Sequence, residues 1–178
     1  MEVKIEKLQK EDLNKFWEIF VQVLKDDFPG YTKVVIDYFI NKIYTRVNFG
    51  HWINIDWKIV LVADAKNSKD IDAKDAKIVG FAVLDKPYGG VCFCRWLGVL
   101  PEFRKRGIGR KLIENFINYA KNYGCHKIEL ASQPVSKEFY KKCGLSLEGK
   151  RAFSYFGIDQ FIFGKVIGEP RDEVMTRE

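Results

Sequence analysis

With 178 residues, 47% of them hydrophobic and 15% aromatic, the chain can bury the core of one globular domain, which excludes a disordered protein. No apolar run approaches the roughly 18 residues of a membrane-spanning helix. The opening MEVKIEKLQKED lacks the apolar stretch of a secretion signal, so we expect a cytoplasmic protein. Four cysteines without CxxC spacing predict reduced thiols and no metal site, and the net charge of +6 favours an anionic partner.

The first half of the chain predicts a strand, two helices and two further strands. Alternating residues indicate a strand over 3–8, and apolar residues at helical spacing indicate helices over 13–24 and 34–43, with a break near Pro29. Runs of β-branched residues predict strands over 57–64 and 77–85. The polar segment 65–76 between them is interpreted as a solvated hairpin loop.

The second half predicts a strand over 90–100, a helix over 107–123 capped by Gly124, and a strand over 127–131. Pro134 suits the first turn of a short helix, and a closing strand pair follows within 146–156 and 159–167. No linker divides the chain, so we expect one domain over 1–168 and a charged tail over 169–178.

This order of elements predicts a mixed α/β fold, with about seven strands in one sheet flanked by about four helices. Short connections make the first central strands antiparallel, whereas the strand–helix–strand unit over 90–131 makes its two strands parallel. A ligand is then expected at the carboxyl ends of the parallel strands, where the intervening helix begins.

PEFRKRGIGRK (101–111) concentrates positive charge around two glycines at that helix start. A helix N-terminus offers unpaired N–H groups and a partial positive charge, and glycines let an anion approach the backbone. The surrounding cations add mobile positive charge: Arg104, Lys105, Arg106, Arg110 and Lys111. The segment lacks the GxxxxGK[ST] of a P-loop, and Leu112 replaces the third glycine of a dinucleotide fingerprint. The pattern therefore predicts a pyrophosphate site of another kind.

LGVLPEFRKRGIGRKLI resembles the acyl-CoA signature of the GNAT superfamily of N-acetyltransferases, with Arg104, Gly107 and Gly109 at its fixed positions. SQPVSKEFYKKCGL resembles the second signature of the family, in which Phe139 and Tyr140 match and Gln133 replaces the usual Asn. With the strand order, the resemblance covers roughly residues 3–167. It implies a GNAT fold and the direct transfer of an acetyl group from acetyl-CoA to a primary amine of a small molecule, peptide or protein.

The resemblance also assigns roles to residues. The pantetheine arm would pair with the strand edge at Leu97, Gly98 and Val99, with a distortion at Gly98, and the Leu97 N–H would polarise the thioester carbonyl. Tyr140 would protonate the leaving thiolate, and Gln133 would contact the pantetheine. The pyrophosphate would bind next to Arg104, on backbone amides of the residues Lys105, Arg106, Gly107, Ile108, Gly109 and Arg110.

The strand before the glycines carries no carboxylate or histidine, so the general base stays open. The candidates are Glu129, Asp85, Glu102, His51 and a water relay. Cys92 and Cys94 could form an acyl-cysteine, but burial of these thiols in the core is the favoured interpretation.

The sequence says least about the site that binds the acceptor amine. Asp26 and Asp27 could attract an amine or only solvate a loop, and Tyr31, Trp52, Tyr155 and Phe156 could shape the pocket. A non-catalytic acyl-CoA-binding module of the same fold is the main alternative. Nucleic acid is disfavoured as a partner because no aromatic residues interleave the basic cluster, and a membrane is not expected. A homodimer is compatible with the sequence.

Overall fold

The protein, described as a computed structural model over residues 2–66 and 77–177, is built on one seven-stranded sheet. The strands are β1 (Glu2–Lys7), β2 (Lys58–Lys66), β3 (Lys77–Asp85), β4 (Val91–Val99), β5 (Lys127–Ser132), β6 (Ser146–Arg151) and β7 (Gln160–Val166). They are ordered β1-β2-β3-β4-β5-β7-β6 across the sheet. Only β4 and β5 pair in parallel among these strands, and all other neighbours are antiparallel.

Six α-helices connect and cover the strands. They are α1 (Leu13–Asp27), α2 (Lys33–Tyr38), α3 (Arg46–Asn54), α4 (Ile108–Tyr123), α5 (Lys137–Lys142) and α6 (Asp172–Met175). A π-helical turn at Phe39–Ile43 extends α2, and a 3-10 turn at Pro134–Ser136 leads into α5. None of the described helices is long and apolar enough to cross a bilayer.

The sheet prediction is confirmed in strand number, order along the chain and direction. The helices α3 and α6 were not predicted. Thr45 caps the start of α3 by accepting a hydrogen bond from the Asn48 N–H at 3.1 Å, and Val174 of α6 is buried. Of the predicted hairpin loop 65–76, positions 65 and 66 belong to β2, and 67–76 lie outside the described residues.

The sheet separates two apolar cores. The helix α4 covers one face, where Leu112 and Phe116 belong to the same buried cluster as Ile128. The helices α1 to α3 cover the other face, where Phe16 and Phe20 meet Phe81 in tilted and edge-on ring contacts. Each strand of the centre is therefore apolar on both sides, which explains the continuous apolar runs of β2 and β3.

A bulge in β4 changes the faces that its side chains point to. Val83 of β3 lies opposite Trp96, but Leu84 lies opposite Cys94, so Arg95 is an extra residue. Cys94 consequently packs on the α4 side and Trp96 on the α1 side. The prediction that Gly98 carries the distortion is wrong. Gly98 instead admits helix α1, because a Cβ there would lie 2.5 Å from Val23 Cγ1.

Beyond the bulge, β4 and β5 diverge. Their parallel pairing runs from Val91 opposite Lys127 to Cys94 opposite Leu130 and then stops. β4 continues to Val99 paired only with β3, whereas β5 continues along β7 to Ser132. The divergence leaves one edge of β4 unpaired in the middle of the sheet.

Candidate active site

A cavity of about 1010 Å³ lies between the diverging ends of β4 and β5. Of the twelve residues that the sequence predicts for acetyl-CoA binding and catalysis, eleven line it, namely Leu97, Gly98, Val99, Arg104, Lys105, Gly107, Ile108, Gly109, Arg110, Gln133 and Tyr140. Arg106 does not line the cavity, and its guanidinium lies 5.7 Å from the Phe103 ring. The fold therefore brings the two sequence patterns together at one cavity.

The free edge of β4 points unpaired backbone groups into this space. Leu100 donates its N–H to the Val79 oxygen at 2.9 Å, and Gly98 lies opposite Phe81. Successive residues of an antiparallel strand direct their backbone groups alternately to the two sides. The N–H and C=O groups of Leu97 and the N–H of Val99 therefore face away from β3, toward the cavity, where an extended ligand could pair with them, whereas the Val99 oxygen already accepts a hydrogen bond from Arg104 Nε at 3.0 Å.

The start of α4 forms an anion site beside that edge. Gly107 precedes the helix with φ 80°, a left-handed conformation that favours glycine, and nothing lies within 4 Å of its missing Cβ. Lys105 also has a positive φ of 57°. The first N–H groups of α4, at Ile108, Gly109 and Arg110, have no partner within the helix, so they can bind phosphate oxygens.

Arg104 is a fixed residue and not part of the mobile charge. Its Nε donates to the Val99 oxygen at 3.0 Å, and its Nη2 pairs with the Asp27 carboxylate at the end of α1. The prediction of mobile charge is therefore wrong for Arg104. The same ion pair neutralises Asp27, whereas Asp26 is exposed and does not line the cavity.

Gly109 of the first sequence pattern lies against Phe139 of the second. A Cβ at this position would lie 2.9 Å from Cζ of Phe139, so the Phe139 ring occupies the space that the glycine leaves. We expected the missing Cβ to admit an anion, and this part of the interpretation is wrong for Gly109. The glycine lets α5 pack against the first turn of α4. This packing places Tyr140, which belongs to α5, at the cavity.

Tyr140 is 8% exposed, and its ring packs on Phe139 and Phe163 at centroid distances of 5.0 and 5.7 Å. Burial raises the pKa of its phenol above the ordinary value of 10.0, with smaller contributions from Cys94 and Cys143. The hydroxyl therefore stays protonated at neutral pH. It can act as a proton donor inside the cavity.

Gln133 is 9% exposed and joins the end of β5 to the loop after α1. Its Oε1 accepts a hydrogen bond from the Gly30 N–H at 3.3 Å. Its Nε2 is buried without an acceptor among the described residues. Buried donors are nearly always paired, so this nitrogen is a candidate contact for a bound ligand.

The cysteines of β4 are buried and protonated. Burial raises the pKa of both thiols, that of Cys94 to about 12. Cys94 Sγ lies 3.4 Å from the Trp96 oxygen, and Cys92 Sγ lies 3.7 Å from the Asp85 oxygen. These surroundings fit the favoured interpretation of packing, because the thiolate is the nucleophilic form.

None of the four side chains considered as general base lines the cavity. Glu129 pairs with Lys127 at 2.8 Å, and Glu102 lies 3.7 Å from Lys77. Asp85 pairs with both Lys58 and Arg95, at 2.6 and 2.5 Å, and His51 is exposed on α3. Asp27 is the one carboxylate among the described lining residues, and Arg104 neutralises it.

Aromatic rings form a further part of the cavity lining. We call six lining residues the aromatic wall, namely Phe28, Tyr31, Phe39, Tyr44, Trp96 and Phe156. Trp96 is its centre, with the rings of Phe28, Phe39 and Tyr44 at 5.0, 5.6 and 5.4 Å. Burial raises the pKa of Tyr44, and it raises that of Tyr31 to about 12. Both phenols are therefore neutral.

The sequence anticipated only part of this wall. Tyr31, Tyr155 and Phe156 line the cavity as expected, whereas Trp52 packs outside it against Phe49 and Tyr44. Four residues of the wall were not anticipated because large apolar side chains are typical of the core, namely Phe28, Phe39, Tyr44 and Trp96. The available signal was the aromatic content of 15%, concentrated around the break between the first two helices.

Comparisons with known proteins agree with this geometry. Residues 17–145 match the sequence model of the "Acetyltransferase (GNAT) family". The chain is 35% identical over 55 residues to glucosamine 6-phosphate N-acetyltransferase of Arabidopsis thaliana, a match that covers 31% of this chain and 37% of that protein. The chain thus spans little more than a third of that curated relative.

Solved structures share the fold across almost the whole chain. PaiA N-acetyltransferase from Thermoplasma acidophilum, solved with coenzyme A, has a TM-score of 0.75 and 24% identity over 93% of this chain and 99% of that chain. YncA from Salmonella typhimurium, solved with its cofactor acetyl-CoA, has a TM-score of 0.71 and 17% identity over 96% and 98%. Spermidine/spermine N-acetyltransferase SpeG from Vibrio cholerae has a TM-score of 0.65 and 16% identity over 93% and 95%.

The family model covers most of the chain, and the seven-stranded fold agrees with it. The resemblance seen in the two sequence patterns is therefore confirmed at the level of the family and the fold. The chain belongs to the GNAT family of acetyltransferases.

Proposed function

We propose that this protein transfers an acetyl group directly from acetyl-CoA to a primary amine. The observation that carries the proposal is the unpaired edge of β4 at Leu97 and Val99, which shares one cavity with the start of α4 and with Tyr140. We call the lining residues within 97–110 and 133–143 the cofactor half of the cavity, and the aromatic wall together with Arg151, Tyr155, Ile158 and Gln160 the acceptor half.

The cofactor half supplies groups for each part of acetyl-CoA. The pyrophosphate binds the backbone amides at the start of α4, supported by Lys105 and Arg110. The pantetheine pairs as an extended chain with Leu97 and Val99, and Gln133 Nε2 donates to it. The Leu97 N–H then holds the thioester carbonyl oxygen, and loss of one such donor typically costs about 3–4 kcal/mol of transition-state stabilisation.

The reaction requires a neutral amine. Its nitrogen attacks the thioester carbon, the carbonyl electrons move onto the oxygen at Leu97, and the carbon–sulfur bond breaks. Tyr140 gives its proton to the departing thiolate and regains one that the new amide nitrogen releases through water. Burial raises the pKa of Tyr140 and so makes the phenol a weaker acid, but the same loss of hydration makes the departing thiolate more basic, which offsets this cost.

No side chain is required to deprotonate the amine. An alkylammonium of pKa near 10.4 is about 4–5 kcal/mol from its neutral form at pH 7. An apolar, aromatic acceptor half lowers that pKa, since burial disfavours the charged form. The proton leaves through water before the amine is enclosed, in agreement with the absence of an unpaired carboxylate among the described lining residues.

The same absence favours one alternative, a module that binds acyl-CoA without turnover. The two are separated by measuring CoA release from acetyl-CoA with a panel of primary amines, alongside calorimetric binding of acetyl-CoA. We expect binding together with amine-dependent CoA release that increases with pH. Tight binding without release for any amine would identify the non-catalytic module.

A further inference from the structure

The acceptor half has a composition that selects among amines. It offers ring faces where Phe28, Tyr31 and Phe156 meet the cavity, over a buried layer formed by Phe39 and Trp96. Apolar side chains that are exposed in a cavity mark places where an apolar ligand group binds. The rings therefore indicate that the acceptor carries an apolar group in addition to its amine.

Phe156 is the most informative of these rings. It is 46% exposed and meets Phe39 edge-on, with ring centroids 4.6 Å apart and planes at 85°, so part of its surface stays open. Its backbone is left-handed, with φ 61° and ψ 25°, an unfavourable conformation for an aromatic residue. Strained backbone is often found at ligand sites, where surrounding contacts hold it.

The loop that carries Phe156 is held in place by hydrogen bonds. The Ser154 N–H donates to the Ile158 oxygen at 2.8 Å, and the Gly157 N–H donates to the Ser154 oxygen at 2.9 Å. Ser154 Oγ also lies 2.9 Å from Gln160 Oε1, and Gln160 hydrogen-bonds Tyr31. The ring position is thus built before any ligand arrives, which lowers the entropic cost of binding.

Charge decides between two kinds of ligand that rings attract, because aromatic faces bind cations as well as apolar groups. Asp27 is neutralised by Arg104, and Asp85 is shared between Lys58 and Arg95. Arg151 lines the acceptor half and has no ion pair with any described residue. A polycation would therefore meet positive charge without a free carboxylate to bind it.

From these observations we propose that the acceptor is a primary monoamine attached to an aromatic group, which the aromatic wall binds, and that polyamines are poor substrates. This rests on the proposed function, since the amine must reach the thioester held at Leu97. Trp96 precedes Leu97 in β4. An acceptor whose ring packs on the aromatic wall can therefore bring its amine, through a short linker, close to the reacting carbonyl.

The test is calorimetric titration of the protein saturated with CoA, using 2-phenylethylamine, n-butylamine and spermidine as probes. We expect 2-phenylethylamine to bind at least tenfold tighter than either of the others. Phe156→Ala should weaken its binding about fivefold to tenfold, through the loss of one ring contact and its buried area. Phe156→Leu, which keeps an apolar side chain, should weaken it less.

Phe153→Ala is the matched control. Phe153 lies in the same connection, also has a positive φ, of 44°, and is 85% exposed, but it does not line the cavity. Its variant should bind all three probes as the wild type does. Equal binding of 2-phenylethylamine to the Phe156→Ala variant and the wild type would overturn the proposal, and so would tighter binding of spermidine.

Turnover separates this proposal from the proposed function. If spermidine is acetylated as efficiently as 2-phenylethylamine, acetyl transfer stands and the ring preference is refuted. If 2-phenylethylamine binds through Phe156 but no amine is acetylated, the ring site stands and acetyl transfer is refuted.

Discussion

The two halves of the cavity are built from different parts of the polypeptide. The cofactor half consists mainly of backbone groups in two short continuous segments, at Leu97 and Val99 and at the start of α4. The acceptor half consists of side-chain rings from the α1–α2 connection, from the π-helical turn after α2 and the residue that follows it, from β4 and from the β6–β7 connection. Backbone groups need particular residue types at fixed spacing, whereas rings from distant segments need only the fold to bring them together.

Tyr140 gives the largest expected effect, because it is the one side chain of the cofactor half that we propose takes part in bond breaking. Tyr140→Phe keeps the ring contacts with Phe139 and Phe163 and removes the acidic proton. We expect kcat to fall by about 10²–10⁴-fold while acetyl-CoA affinity stays within a few-fold. Steady-state kinetics with calorimetry measure both, and an unchanged kcat would show that Tyr140 is not the acid.

The next effect tests whether backbone groups bind the phosphates. Gly107→Asp and Gly107→Asn place side chains of the same shape at the same left-handed position, which has open space beyond it. Only Asp adds an anion at the start of α4, so we expect CoA affinity to be about tenfold to a hundredfold lower for Asp than for Asn.

Calorimetric titration at low and high salt measures this difference, which should shrink as salt screens the charge. Equal affinities of the two Gly107 variants for CoA would show that the pyrophosphate does not bind at the start of α4.

Gln133 lies where the two halves meet and should produce a smaller, selective effect. Gln133→Asn shortens the side chain by one methylene, so the amide no longer reaches the Gly30 N–H. The loop that carries Phe28 and Tyr31 loses this hydrogen bond, and we expect the KM for the amine to rise about threefold to tenfold.

The KM for acetyl-CoA should change less than twofold in the Gln133→Asn variant, because Asn can still donate to the pantetheine. A rise in the KM for acetyl-CoA alone would instead assign Gln133 to the cofactor half only.

Asp64, outside the cavity, should affect stability and leave the chemistry unchanged. Burial and a hydrogen bond with Glu6 raise its pKa from 3.8 to about 6, so the folded protein binds this proton more tightly than the unfolded chain. The contribution of Asp64 to stability is therefore largest below pH 4 and is lost as pH rises through 6.

Asp64→Asn should raise the free energy of unfolding at pH 7.5 by about 1–2 kcal/mol, with kcat unchanged. Denaturant unfolding of both proteins at pH 4.5 and pH 7.5 measures this. A variant that is less stable than the wild type at pH 7.5 would contradict the assignment.

The sequence predicted the sheet because its central strands are long β-branched runs and its longest helices have clear apolar spacing. It predicted that Arg104, Gly107 and Tyr140 share one site because they occupy fixed positions in recognisable patterns, and all three line the cavity. It did not reveal the bulge at Arg95, since apolar residues flank that position on both sides and allow either register. The bulge turns Trp96 toward α1, and without it the aromatic wall could not be anticipated.

Two glycines show the same limit at single residues. Gly98 and Gly109 matched the expected positions, but their physical roles are contacts with Val23 and Phe139 from other parts of the chain. A sequence pattern records that a side chain is excluded at a position. The tertiary structure decides whether a ligand or another side chain takes the space.

The central claim, that acetyl-CoA binds the free edge of β4, is tested most directly by amide hydrogen exchange at single residues, measured by NMR with and without acetyl-CoA. The alternation along β4 supplies an internal control, because Trp96 and Gly98 already direct their N–H groups to β3. We predict that acetyl-CoA slows exchange at Leu97 and Val99 and leaves Trp96 and Gly98 unchanged. Unchanged exchange at Leu97 and Val99 under saturating acetyl-CoA would contradict the account.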